Sequence, residues 1–128
     1  MRIRFSPILF FYMNLLENMK KVTEKAVKSF RDYKNLHLWN TAVETWYDCV
    51  NFYLHDNLIA WLVKHEDWTE TLCIRDAGRR SNTTKERLNW ILEDFWIGCI
   101  FQKNWIRYFR NPAWEVQKRD WNMRFDLI

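Results

Sequence analysis

A chain of 128 residues that is 48% hydrophobic can bury one core, which excludes both general disorder and a multidomain assembly. Two glycines and two prolines exclude collagen-like and linker sequences, while nine tryptophans set the chain apart from ordinary domains. The formal net charge is +4, and residues 1–78 carry ten basic and ten acidic side chains against ten and six in residues 79–128, so the whole excess lies in the C-terminal part. That surplus permits an acidic partner but is modest for a dedicated nucleic-acid binder.

Met1–Asn18 differs in texture from the rest. Arg2 and Arg4 precede the apolar run Pro7–Met13, which imitates the start of a secretory signal but lacks a small-residue cleavage site. A helical membrane span takes about 20 apolar residues, and no run of that length exists. Three readings compete for residues 1–18: a signal-like or membrane-associating leader, a helix packed on the domain, or the product of an upstream start codon. The third is favoured, with a single domain over residues 19–128 and Met19 as its start.

From Thr23 a first helix is expected, because Val22, Ala26, Val27, Phe30 and Tyr33 recur at helical spacing. Glu24 lies where the helix dipole favours an anion. Runs rich in β-branched and aromatic residues follow. Thr41–Tyr47, Asn51–Leu54, Leu58–Val63 and Thr71–Arg75 read as an antiparallel meander, with turns at Asp48-Cys49, Asp56-Asn57 and His65–Thr69. Phe52 and Leu54 share one face with Tyr53 opposite; Leu72 and Ile74 share one face with Cys73 opposite. Thr83-Thr84-Lys85-Glu86 fits a capping box, with Thr83 as N-cap and Glu86 at N3. It opens a second helix striped by Leu88, Ile91, Leu92 and Phe95 and closed by Gly98. Cys99–Gln102 and Trp105–Phe109 read as a hairpin joined at Lys103-Asn104, and Asn111-Pro112 breaks the pattern. The tail, with Trp114, Val116, Trp121, Met123 and Phe125, reads as an irregular or strand-like cover. The expected fold class is α+β: about five antiparallel strands in a meander with two packed helices, in the order α-β-β-β-α-β-β.

Cys49, Cys73 and Cys99 are odd in number and widely spaced, which argues against a disulfide framework and suits a reducing cytoplasm. No CxxC pair or HExxH spacing is present, so no metal and no cofactor is expected. No nucleophile–base pair or paired carboxylates stand out, so no catalytic residue is assigned and the protein reads as a non-enzyme.

Two groups are candidates for binding. Arg79 and Arg80 precede the second helix, and Lys85 and Arg87 lie in its first turns, where exposed N–H groups and cations can hold a phosphate. Asp76 and Glu86 lie close enough to neutralise them, and a solvated capping region is the plainer reading. Lys103, Trp105, Arg107 and Arg110 interleave cations with aromatic residues on a strand pair, with Trp105, Arg107 and Phe109 on one face and Ile106 and Tyr108 on the other. Such a face can stack bases or anchor a protein interface. Core packing explains most aromatic residues in most domains, but nine tryptophans in so small a chain cannot all be buried.

The segments Tyr53–Ala60, Asp76-Ala77-Gly78, Ser81–Asn89, Gln102-Lys103 and Trp105–Phe109 resemble a family of small bacteriophage proteins of unknown function, whose pattern runs roughly LHGNxIA, TTKERLN, QK, WYLNG. The resemblance covers about residues 19–110, beginning with the Lys-rich start of the first helix. Asp56 stands where that pattern has a turn glycine, Arg79 where an aromatic is usual, and Trp90 where a glycine closes the segment. The resemblance implies phage origin and the cytoplasm of the infected bacterium, and it carries no known activity. A phage accessory protein that binds a host protein or ribonucleoprotein complex is then expected, with inhibition of a bacterial defence nuclease complex, in the manner of anti-CRISPR proteins, as one concrete form. Direct nucleic-acid binding is the rival, and a phage structural component the third reading.

Overall fold

A computed structural model describes residues 20–77 and 81–127. The leader over residues 1–18 lies outside the described residues, as do Arg79 and Arg80. The first helix, α1, is already under way at residue 20 and continues to 31, so Thr23 is an interior residue of the helix and not its start. After it come β1 (Leu36–Leu38), β2 (Thr41–Trp46), β3 (Cys49–Leu54), β4 (Asn57–Lys64) and β5 (Glu70–Ile74). Then follow α2 (Asn82–Asp94), β6 (Cys99–Lys103), β7 (Ile106–Arg110), β8 (Val116–Lys118) and β9 (Met123–Leu127). The fold is α+β, and all strand pairs are antiparallel.

The expected meander is present and longer than the sequence pattern indicates. Six strands form one sheet in the order β1-β2-β3-β4-β5-β9, and β6-β7-β8 form a second. Two rungs of the larger sheet, Val43–Phe52–Ala60–Ile74–Met123 and Val50–Leu62–Leu72–Phe125, turn towards the core. A register shift at Phe52/Tyr53 leaves Ile59 without a partner on β3, so Ile59 and Ala60 are buried in succession where strict alternation would expose one. Ala26, Val27 and Phe30 of α1 cover this face, and the Phe30 ring meets Phe52 edge-on at 5.7 Å and Phe95 at 6.3 Å. Thr23 faces Arg87, and Arg31 Nη1 reaches Asp94 at 3.0 Å, so the two helices run side by side in the same direction.

The second helix starts earlier than the capping-box reading places it. Ser81 is the N-cap: its backbone is extended and its Oγ accepts the Thr84 N–H at 3.2 Å. Thr83 is therefore inside the first turn, and the Glu86 carboxylate lies 3.7 Å from Arg87 Nη1 instead of reaching back to the cap. Ser81 wins because it is the residue that can stay extended while α2 begins at Asn82.

The small sheet joins the rest through specific contacts. The Asn89 side chain donates to the Ile100 carbonyl at 3.0 Å and accepts the Ile100 N–H at 2.7 Å, doing for β6 what a neighbouring strand would do. Phe109 packs on Phe125 at 5.6 Å. Gly98 has φ of 144°, and an added Cβ there would run into the Arg110 carbonyl oxygen.

Candidate interaction surface

Only two glycines serve the whole chain, so its turns must be made by other residues. Two hairpins use adjacent left-handed residues, His55 (49°) with Asp56 (63°) and Asn104 (52°) with Trp105 (66°). This is the two-residue geometry for which Asn-Gly is the preferred pair, so Trp105 occupies the glycine position. The β6–β7 turn is thus Asn104-Trp105, one residue later than Lys103-Asn104. The β2–β3 turn is likewise Tyr47-Asp48, with Cys49 already in its strand.

Two further loops repeat one geometry. In the first, the Trp68 N–H donates to the His65 carbonyl and the His65 N–H to the Thr69 carbonyl. In the second, the Trp114 N–H donates to Asn111 and the Asn111 N–H to Glu115. Trp68 and Trp114 take the left-handed position of these three-residue loops, at φ of 69° and 66°. At the C-terminus of α2, the Ile97 N–H reaches the Leu92 carbonyl and the Trp96 N–H the Glu93 carbonyl. That is a Schellman closure, and Trp96, at φ of 57°, fills the place where glycine is usual.

Four tryptophans thus stand where turn chemistry calls for glycine. None packs into the core: Trp39, Trp46, Trp68, Trp96, Trp105 and Trp114 are between 71% and 96% exposed. Trp96 and Trp114 flank one groove of about 550 Å³ lined also by Asn89, Glu93, Arg110 and Pro112. The Arg110 guanidinium lies 4.2 Å over the Trp114 ring, which holds both in place. Trp46 and Tyr47 meet edge to face at 5.2 Å as a second exposed aromatic pair, and Lys64 Nζ lies 5.7 Å over the Trp68 ring.

The sequence candidates divide sharply. Arg87 is only 1% exposed; it donates to the Thr23 hydroxyl across the helix pair, and burial pulls its guanidinium below the ordinary arginine range, with Glu86 opposing. It is not a phosphate contact, because the i+4 stripe of α2 turns it inward beside Leu88 and Ile91. Arg107 is 11% exposed, ion-paired with Asp76 and Asp120 and lying 4.6 Å over the buried Trp121 ring. It too acts within the fold, facing the same way as Phe109, while Trp105 leaves the strand face at the turn. Lys85 is half-buried on α2, Lys103 is exposed beside the β6–β7 turn, and Arg110 faces the Trp114 groove. Of the basic cluster expected before and along α2, Lys85 and Arg87 are described, the one half-buried and the other turned inward, while Arg79 and Arg80 lie outside the described residues.

His65 Nε2 lies 2.7 Å from Thr71 Oγ1, whose hydroxyl donates to Asp126 Oδ1 at 3.0 Å. With the hydroxyl proton directed at the carboxylate, the ring donates to Thr71. Among the described residues no group of three or more His, Cys, Asp or Glu side chains could hold a metal ion, and no helix is long and apolar enough to cross a membrane.

A family model described as Kyanoviridae Gp96 protein matches residues 19–126, and the chain belongs to that bacteriophage family. No curated protein and no solved structure matches the chain.

Proposed function

We propose that this member of a phage protein family is a non-enzymatic accessory protein that binds a host protein through its tryptophan-bearing turns. One observation carries the reading: four exposed tryptophans occupy left-handed turn positions that glycine would fill at no cost. A left-handed conformation costs an L-residue about 1 kcal/mol or more. Strain of this kind at exposed positions points to function, because nothing in folding calls for it. Exposed Trp, Tyr and Arg are also the side chains that anchor protein interfaces, and Trp96, Trp114 and Arg110 meet in one groove. The concrete form we favour is inhibition of a bacterial defence nuclease complex in the host cytoplasm.

Nucleic-acid binding through the candidate cations of α2 and the β6–β7 hairpin loses support from the inward placement of Arg87 and Arg107, which leaves Lys85, Lys103 and Arg110 as its described contacts. The test is capture of a host protein by the intact chain, compared with a Trp96→Gly/Trp114→Gly variant, alongside binding to labelled single- and double-stranded DNA and RNA. The reading expects one host protein retained by the parent and lost by the variant. Sub-micromolar nucleic-acid binding at near-physiological salt, abolished by Lys103→Ala/Arg110→Ala, would overturn it.

A further inference from the structure

The larger sheet has a second face, turned away from the helices, and its chemistry differs from that of the aromatic turns. One rung of that face runs Glu44–Asn51–Trp61–Cys73–Arg124. Where this rung meets the ends of β5 and β9, a cleft of about 780 Å³ opens, lined by Trp61, Cys73, Arg75, Asp76, Arg119 and Arg124 among others. Trp61 and Arg124 flank Cys73 two strands apart, about 10 Å at the ordinary strand spacing.

Three guanidinium groups line this cleft. Arg75 is anchored through Nε to the Leu58 carbonyl at 2.6 Å, which fixes its stem. Arg124 is joined to Asp126 at 3.3 Å in a pair that is open to solvent on both sides. The Arg119 side chain has no hydrogen bond or ion pair among the described residues. The one carboxylate on the wall, Asp76, is ion-paired with Arg107, so its charge is offset from outside the cleft. Burial pushes the Cys73 thiol up, so the floor between Trp61 and the arginines is neutral at physiological pH.

We infer that this cleft is a nucleotide site, taking a base against Trp61 and its phosphate on Arg119 and Arg124. Arginine forks match phosphate oxygens, and an indole wall accepts the π-face of any base. A ligand bearing both groups is the one that uses both walls. The cleft shares no lining residue with the Trp96–Trp114 groove, though Arg119 also borders a pocket beside Trp105, and its assignment does not depend on the protein-binding reading. The chemistry is shared by a free nucleotide and by one unit of a single strand.

Cys73 gives the test a local reporter, since Cys49 on the same sheet face and Cys99 on β6 serve as internal controls. The intact protein is alkylated with iodoacetamide in the presence of AMP, decathymidylate or inorganic phosphate, and each cysteine is followed by peptide mass mapping, with affinities from calorimetry. AMP, decathymidylate or both should slow alkylation of Cys73 while sparing Cys49 and Cys99. An Arg119→Ala/Arg124→Ala variant with an unchanged melt should bind about tenfold more weakly. Protection by AMP identifies a free nucleotide, and protection by decathymidylate alone identifies a single strand. Equal affinity for inorganic phosphate, no protection of Cys73 by any probe, or protection that survives the double substitution would overturn the assignment.

Discussion

In the larger sheet, strands β2 to β5 and β9 present rung after rung of apolar side chains to α1 and α2, from Val43–Phe52–Ala60–Ile74–Met123 to Val50–Leu62–Leu72–Phe125. The small sheet has two buried hydrophobic residues, Ile100 and Phe109, and meets the rest of the protein at a few joints: Gly98, the Asn89 bracket on Ile100, Phe109 on Phe125, and Arg107 with Asp76, Asp120 and Trp121. One region is held by distributed burial and the other by single, geometrically demanding contacts. The second arrangement leaves the outer surface of β6–β8 free to carry Trp105 and Trp114 into solvent.

If that contrast is right, single changes at the joints should cost more than changes at solvent-facing positions elsewhere. The largest effect is expected at Gly98, whose φ of 144° excludes other residues and whose missing side chain makes room for the Arg110 carbonyl. Gly98→Ala should lose about 3 kcal/mol in urea melts. Asn89→Ala should lose about 2 kcal/mol, because both backbone groups of Ile100 lose their partner at once. Both variants should strip hydrogen-exchange protection from β6 and β7 before β3 and β4; uniform loss would mean the small sheet is not a separable unit.

Smaller effects sharpen the picture on the helix and on the larger sheet. Ser81→Ala removes the N-cap oxygen and should cost about 1 kcal/mol, while Thr83→Ala should stay within about 0.5 kcal/mol. Equal melts for Ser81→Ala and the parent would refute that cap. The smallest effect concerns Asp67, whose carboxylate accepts the Thr69 hydroxyl at 2.6 Å and its N–H at 3.1 Å, bonds that hold its pKa below the ordinary aspartate value. A depressed folded value means that its contribution is present above the unfolded pKa and lost as pH falls through the folded one. NMR titration should place the Asp67 pKa below that of an unstructured aspartate, and Thr69→Val should raise it.

The meander was legible because Phe52, Leu54, Leu72 and Ile74 alternate with polar or half-buried neighbours along their strands. β1 escaped notice since Leu36–Leu38 is too short to show a period, and β8 because Val116–Lys118 is exposed throughout. β9 was only half visible as a strand-like cover, since it borders the sheet through β5, far earlier in the chain. At the surface, residue type misled: an arginine four residues before Ile91 faces the core, and that spacing was the available signal for Arg87. The left-handed tryptophans were hidden for a different reason. Turn signals are read from Gly, Asn and Asp, and here the turns carry the side chains least expected in them.

Replacing Trp68, Trp96, Trp105 and Trp114 together with glycine tests the central claim directly, because folding and binding should respond in opposite senses. Each substitution removes left-handed strain from an exposed site and little burial. Thermal denaturation of the fourfold variant, followed by capture of the partner retained by the parent chain, is the measurement. The account expects a melting temperature equal to or above the parent's, together with loss of the partner. A lower melting temperature, or full retention of the partner, would show that these tryptophans serve the fold or nothing at all, and would contradict it.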